Sequence, residues 1–125
     1  MIGNILKVWE IEVTEEFEAW WDGLTVDQQE SLTDRVGLLA ERGPDLGRPV
    51  VDRITSSRHH NMKELRASQG GSLRVLFMLD PRRQVILLLG GDKSGEWNAW
   101  YGTAVPVADV LYDKYLDELR HEGLI

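Results

Sequence analysis

The chain has 125 residues and a formal net charge of -7 at neutral pH. Its content of 42% hydrophobic and 28% charged residues is typical of a folded protein and excludes intrinsic disorder. The absence of cysteine excludes disulfides, thiolate nucleophiles and cysteine metal sites, and gives no support to secretion. We therefore predict one domain over residues 1–125, located in the cytoplasm, with no membrane span.

The first third of the sequence predicts a strand followed by a helical hairpin. Residues 9–13 alternate apolar and polar side chains, as a half-buried strand does. Thr14 precedes two glutamates and is typical of a helix N-terminus. Thr25 and Gln28 form a capping-box pattern for a second helix, which the Gly43–Pro44 pair ends.

The centre of the sequence predicts antiparallel strands. Residues 50–54 contain valine and isoleucine between structure breakers, which favours a sheet edge. Residues 62–67, 72–80 and 84–89 are strand-like, and a glycine turn at 69–71 joins the first two of them. Residues 84–89 are apolar on both faces, so they predict a central strand.

The last part of the sequence predicts a loop and one helix. Residues 90–102 are interpreted as the loop, and Pro106 as a residue in the first turn of the helix, which ends near Gly123. A strand, two helices, three or four antiparallel strands and a final helix make an α+β fold.

The charges are segregated along the sequence. Residues 48–93 contain nine Lys or Arg and four Asp or Glu, a net charge of +5. Residues 1–47 carry a net charge of -8, and residues 94–125 carry -4. A basic centre between acidic ends indicates a local anion site, for which phosphate is the obvious ligand.

The order and spacing of five short segments resemble the RelE/HigB superfamily of bacterial toxins, in particular its HigB-like, phage-derived branch. These segments are Gly43-Pro44, Glu64-Leu65-Arg66, Arg74-Val75-Leu76-Phe77, Leu88-Leu89-Gly90-Gly91-Asp92-Lys93 and Ala108-Asp109. The resemblance implies a RelE-like fold and the toxin of a type II toxin–antitoxin pair. Such toxins cleave mRNA, usually on the ribosome, without a metal or cofactor. Their partners are an antitoxin protein, often of helix-turn-helix type, and operator DNA contacted through the antitoxin complex.

The same resemblance places Arg74 and Lys93 at the reacting RNA, with Arg66 close by. Metal-free cleavage by a 2'-hydroxyl needs a base, an acid and cations for the phosphate oxygens. Arg74 suits the cationic role, because a guanidinium binds two phosphate oxygens and stays charged. Its alternation with Leu73 and Val75 predicts that it faces an open side of the sheet. Arg66 has an equally strong structural interpretation as an ion-pair partner.

Further candidates come from the chemistry of single side chains. His60 and His59 titrate near neutral pH, so His60 is a candidate proton carrier and His59 a candidate RNA contact. Lys63 is a further candidate for RNA binding. Trp100 and Tyr101 are candidates for stacking on bases, with closure of the core as the alternative. No ligand spacing indicates a metal site.

Two features differ from the family pattern. The chain is acidic overall, and Glu64 stands where relatives often have a base. Both features favour an alternative hypothesis, a non-catalytic relative that binds an antitoxin and acts in transcriptional autoregulation. A third hypothesis is a metal-free nuclease that acts on free RNA.

Overall fold

The computed structural model describes residues 8–67, 73–92 and 97–125, without the side chains of residues 97 and 98. Within these ranges the chain forms a five-stranded sheet and three α-helices, which confirms the predicted α+β class. The elements in chain order are β1 (Ile11–Val13), α1 (Glu15–Asp22), α2 (Val26–Arg42), a 3-10 turn (Pro44–Leu46), β2 (Val51–Arg53), β3 (Lys63–Ala67), β4 (Leu73–Leu79), β5 (Val85–Asp92) and α3 (Trp97–His121).

The strands lie in the order β1-β5-β4-β3-β2. The pairs from β2 to β5 are antiparallel, as predicted, with β5 inside the sheet and β2 at its edge. β1 pairs with β5 in the parallel direction, which the sequence did not indicate. The predicted turn at 69–71 lies outside the described residues.

The helical hairpin is held by the predicted caps. The Thr14 hydroxyl accepts a hydrogen bond from the Phe17 amide at 3.0 Å and donates one to the Leu88 carbonyl at 2.7 Å. Thr25 and Gln28 form both hydrogen bonds of the capping box. Gly43, at φ 86°, ends α2 in a conformation that side chains other than glycine rarely adopt.

Each face of the sheet is covered by helix. The hairpin of α1 and α2 covers one face, where Leu65, Val75 and Phe77 are buried. The other face packs against α3, and Leu76, Met78 and Ile86 are buried there. The prediction that one face of the β4 region is open to solvent is therefore wrong: α3 also buries its apolar stripe on the sheet.

α3 begins at Trp97, inside the segment predicted as a loop. The predicted loop at 90–102 is instead the end of β5 and, from Trp97, the first turns of α3. Pro106 consequently lies inside the helix rather than in its first turn. Pro106 has no amide hydrogen to donate to the carbonyl of Gly102, and Gly102 is exposed. Tyr101 and Ala104 extend the apolar stripe toward the N-terminus, and this packing outweighs the two helix breakers.

Candidate functional site

Charged side chains from three adjacent strands meet on the α3 face of the sheet. The register places Asp52 of β2 opposite Glu64 of β3, and Arg66 of β3 opposite Arg74 of β4. Residues two apart on a strand share a face, so Glu64 and Arg66 point the same way. Tyr101 of α3 joins them from above through its hydroxyl group. We call these five residues the sheet cluster.

Glu64 is the centre of the sheet cluster. Its side chain is buried and accepts a hydrogen bond from the Tyr101 hydroxyl at 2.6 Å. It also accepts two from Arg66, Nε at 3.1 Å and Nη2 at 2.9 Å. Arg74 Nε lies 3.6 Å from its other oxygen. A buried carboxylate requires such compensation, so Glu64 is the acid that holds both arginines in place.

Arg74 is buried, with 8% of the residue exposed. Its Nη1 donates to the Leu73 carbonyl at 2.9 Å, and its Nε is ion-paired with Glu64. The expectation that Arg74 faces an open surface is wrong, because the first turns of α3 close over this part of the sheet. In this arrangement Arg74 is a buried structural member of the sheet cluster and helps to fix the position of the Glu64 carboxylate.

Arg66 is the more accessible arginine of the two, with 27% of its side chain exposed. It bonds Asp52 at 2.9 Å in addition to Glu64, so the ion pairs expected from one of the two interpretations of Arg66 are present. Arg48, with 74% of its side chain exposed, bonds the same oxygen of Asp52. The hydrogen bond from Arg48 holds the pKa of Asp52 below its usual value. With Arg48 included, three guanidinium groups face two carboxylates, which leaves a net positive charge.

Tyr101 and Trp100 close the cluster. Burial, together with the hydrogen bond to Glu64, raises the pKa of Tyr101 to about 12, so this hydroxyl is protonated at neutral pH and donates. The Trp100 ring lies so close to Gly91 that any side chain at that position would collide with it. The Trp20 ring lies equally close to Gly90, next along β5. Trp100 and Tyr101 therefore serve core closure, while both remain partly exposed at the rim.

The two histidines lie elsewhere. His59 is in the loop between β2 and β3, and its Nε2 lies 2.9 Å from Asp113 of α3. His60 is exposed in the same loop. Asp113 follows Tyr101 by twelve residues on the same helix, which is about 18 Å at 1.5 Å per residue. The histidines are thus not brought together with the sheet cluster.

The loop that carries the histidines is held against α3 by two acids to which the sequence analysis assigned no role. The Ser57 hydroxyl and the Arg58 amide donate to the carboxylate of Asp109, which is 5% exposed. The Arg58 guanidinium is ion-paired with Asp113. Asp109 and Asp113 stand four residues apart, which places them on one face of a helix and could have indicated a shared partner.

The two predicted lysines are also separate from the cluster. Lys63 lies on β3 with the parity opposite to that of Glu64, and its Nζ donates to the Pro44 carbonyl at 3.0 Å and to Asp45 at 3.3 Å. It therefore holds the turn after α2. Lys93 lies outside the described residues, so its predicted role stays a prediction.

Metal-binding clusters and membrane-spanning helices are both absent from the described residues. These residues contain no group of three or more His, Cys, Asp or Glu side chains that could hold a metal ion. No helix among them combines the length and the apolar character required to cross a bilayer.

Comparison with known proteins identifies the family. The sequence profile described as phage derived protein Gp49-like matches residues 19–113. The chain belongs to this Gp49-like family. Over 99 residues it is 50% identical to the Mycobacterium tuberculosis (strain ATCC 25618 / H37Rv) protein named "Putative toxin HigB3", covering 79% of this chain and 86% of that protein. Membership of the HigB-like, phage-derived branch, and with it the predicted type of toxin, is confirmed.

Other relatives of this Gp49-like chain extend the comparison. It is 44% identical to HigB2 of the same organism over 114 residues, 90% of this chain and 56% of that protein. The fold is similar to that of an Escherichia coli RelE toxin mutant in the free state, with TM-score 0.58 and 13% identity, over 79% of this chain and 96% of RelE. It is also similar to the RelBE2 toxin–antitoxin complex of M. tuberculosis, with TM-score 0.54 and 14% identity, over 74% of this chain and 100% of that chain. The predicted RelE-like fold is confirmed.

Proposed function

We propose that this HigB-type chain inhibits translation by cleaving mRNA on the ribosome, without a metal or cofactor. The observation that carries the proposal is the 50% identity to HigB3 over most of both chains. The sheet cluster together with Arg48 is the proposed RNA site, because the two place a partly exposed guanidinium and a net positive charge beside two aromatic side chains. The whole chain is proposed to act as one cytoplasmic domain.

The chemistry required is an internal transfer at phosphorus. The 2'-oxygen attacks the adjacent phosphate, the bond from phosphorus to the 5'-oxygen breaks, and the products are a 2',3'-cyclic phosphate and a 5'-hydroxyl. One proton leaves the 2'-hydroxyl and another reaches the departing 5'-oxygen. Arg66 is the proposed phosphate ligand, since a phosphate oxygen can replace its partly exposed partner Asp52. Arg74 is proposed to position Glu64 and Arg66, and Lys93 remains a proposed catalytic residue.

The proposed partners follow from the same assignment. They are the ribosome and its mRNA, a cognate antitoxin of helix-turn-helix type, and operator DNA contacted only through the antitoxin complex. The RelBE2 neighbour, which is a toxin–antitoxin complex, supports an antitoxin partner for this chain.

A second candidate function is antitoxin binding without catalysis. The burial of Arg74 under α3 and its ion pair with Glu64 favour this candidate, because an arginine held in this way is not offered to a phosphate. Such a protein would bind its partner tightly and act in autoregulation, yet cut no RNA.

The test is expression of the chain alone in a bacterial host, followed by primer extension on cellular mRNA. Growth arrest with new mRNA ends is expected for the wild type. Arg66→Ala should abolish both effects, while Arg120→Ala, which removes a guanidinium from a surface ion pair at the end of α3, should abolish neither. Circular dichroism checks that both variants are folded.

Each result has one interpretation. If the folded Arg66→Ala variant still produces mRNA ends, the sheet cluster is not the RNA site. If the wild type arrests nothing and cuts nothing but still binds an antitoxin, the second candidate is correct. Cleavage of purified RNA without ribosomes would contradict ribosome dependence.

A further inference from the structure

An apolar surface lies where the helical hairpin meets the β1 edge of the sheet, on the face opposite the sheet cluster. Two adjacent grooves, each with a volume of about 310 Å³, share Trp21 and Thr33. The first runs from β1 across α1 to α2, and the second continues along α2 to its N-terminus. We call this surface the hairpin trough; its accessible apolar side chains include Ile11, Trp21, Val26 and Val36, and the buried Phe17 and Leu87 lie beneath them.

The charges of the hairpin trough are of one sign. Its charged lining residues, taken over the described part of the chain, are the acids Glu18, Glu30 and Asp34. All three are exposed. Arg35 follows on α2 but is not among the lining residues. The surrounding sequence is equally acidic, since residues 1–47 carry a net charge of -8.

We propose that the hairpin trough binds a basic amphipathic helix of a protein partner, the antitoxin of the function proposed above. An exposed apolar surface with a charged rim is typical of a protein interface. A helix would place its apolar stripe on Trp21 and Val36 and its Lys or Arg side chains against the acids of the rim. The acids exclude RNA as the occupant, because they repel phosphate.

The dimensions fit such a helix. Val26 and Val36 mark the two ends of the trough along α2, and ten residues of helix span about 15 Å. A partner helix of about three turns covers this length. Val26 is 68% exposed, so the apolar surface continues to the open end of α2. The sheet cluster lies on the other face of the sheet, so a helix bound here does not contact Arg66 directly.

The first part of the test reverses the charges of the three acids that line the hairpin trough. The probe is the small protein encoded next to the gene of this chain, and its dissociation constant is measured by calorimetry at two salt concentrations. The trough variant is the triple change Glu18→Lys, Glu30→Lys, Asp34→Lys. Binding should weaken at least tenfold, and the residual binding should lose most of its salt dependence.

The matched control carries the same charge change on α3. The helix variant is the triple change Asp117→Lys, Glu118→Lys, Glu122→Lys, all at exposed positions. It should bind within threefold of the wild type. Equal weakening in both variants would mean that only net charge matters, and would overturn the proposal. Unchanged binding by the trough variant would overturn it as well.

The apolar arm uses two exposed valines. Val26→Asp places a charge in the trough and should weaken binding at least tenfold; an acid is tolerated in the first turn of a helix, so folding is preserved. Val110→Asp makes the same change on α3, where valine is 61% exposed, and should bind as the wild type does. Equal binding by the two valine variants would overturn the proposal.

The remaining outcomes separate this proposal from the function on which it rests. If the wild type fails to cut mRNA yet binds the probe through the trough, the proposed cleavage fails and the docking surface stands. If the wild type cuts mRNA but does not bind the probe, the docking proposal fails alone. If the wild type is dimeric by sedimentation and the trough variant is monomeric, a second copy of the chain is the occupant and the proposal is overturned.

Discussion

The two faces of the sheet are buried by different means. The face under α1 and α2 is closed by aliphatic and aromatic side chains, of which Leu65, Val75 and Phe77 are at most 1% exposed. The face under α3 combines an apolar region with the sheet cluster, in which Glu64 is only 2% exposed. The first arrangement is a scaffold with a surface suited to a protein partner. The second arrangement buries charged side chains away from water. This burial costs free energy, and it therefore marks this face as the functional candidate.

The largest expected effect is on the apolar face. Phe77→Ala should lower the free energy of unfolding by about 4 kcal/mol, because it leaves a cavity where the ring is 1% exposed. Urea denaturation followed by circular dichroism measures the change. Val110→Ala, at a position 61% exposed, is the control and should change stability by less than about 0.5 kcal/mol. Similar losses in the two variants would contradict the scaffold role of this face.

The next effect tests the sheet cluster. Glu64→Ala should lower the free energy of unfolding by about 3 kcal/mol, because Arg66, Arg74 and Tyr101 then lose the buried carboxylate that they share. The double change of Glu64 and Arg74 to Met removes both charges and should be more stable than Glu64→Ala. Urea denaturation of the two variants gives the comparison. A double variant no more stable than the single one would show that the ion pair is not what matters on this face.

A smaller effect concerns the hydroxyl that joins α3 to the sheet. Tyr101→Phe removes a hydrogen bond to a charged group and should lower the free energy of unfolding by about 2 kcal/mol. The pKa of Tyr101 is raised from 10.0 to about 12, so its contribution is complete below pH 10 and is lost as the pH rises through 12. Thermal unfolding between neutral pH and pH 12 should therefore show a weaker alkaline decline for the variant. Identical declines would exclude Tyr101 as the titrating group.

The smallest effect concerns the loop clamped to α3. Two hydrogen bonds hold the pKa of Asp113 below its usual value; the one from Arg58 has the larger effect and the one from His59 the smaller. Because folding lowers its pKa, the Asp113 carboxylate stabilises the folded state. This contribution is fully present above the unfolded-state pKa of 3.8 and is lost as the pH falls through the folded-state pKa. Asp113→Asn should therefore be less stable than the wild type at neutral pH, by under about 1 kcal/mol because the pair is exposed, and equal to it in strong acid. Asp117→Asn, in a surface pair with Arg120, should show a smaller difference at both pH values.

The elements that the sequence predicted correctly have strong local signals. The capping box at Thr25, the Gly43–Pro44 pair and the two-sided apolar run of β5 each determine their structure within a few residues. The parallel pairing of β1 with β5 joins residues about seventy positions apart, and no local pattern encodes it. The start of α3 was mispredicted because Gly102 and Pro106 weaken the helical signal, while the packing of Tyr101 on the sheet restores it.

Four of the five residues of the sheet cluster were named from the sequence, but their arrangement was not. Glu64, Arg66, Arg74 and Tyr101 were all singled out, and they do meet. The hydrogen bonds and ion pairs that these four residues make with one another under α3 could not be predicted, because burial under α3 depends on tertiary packing rather than on strand alternation. His59 and His60 were grouped with them by chemical type alone; the chain places His59 beside Asp113, farther along α3, and leaves His60 exposed in the same loop.

The glycine pair at the end of β5 gives the molecule a built-in optical reporter. Gly90 and Gly91 let one indole rest on each side of the same strand, Trp20 from the hairpin and Trp100 from α3. A variant that keeps only these two of the five tryptophans would emit from both layers of the protein. Quenching of Trp100, which contacts Tyr101 of the sheet cluster, would report a bound polynucleotide, while emission from Trp20 would report the packing of the hairpin layer.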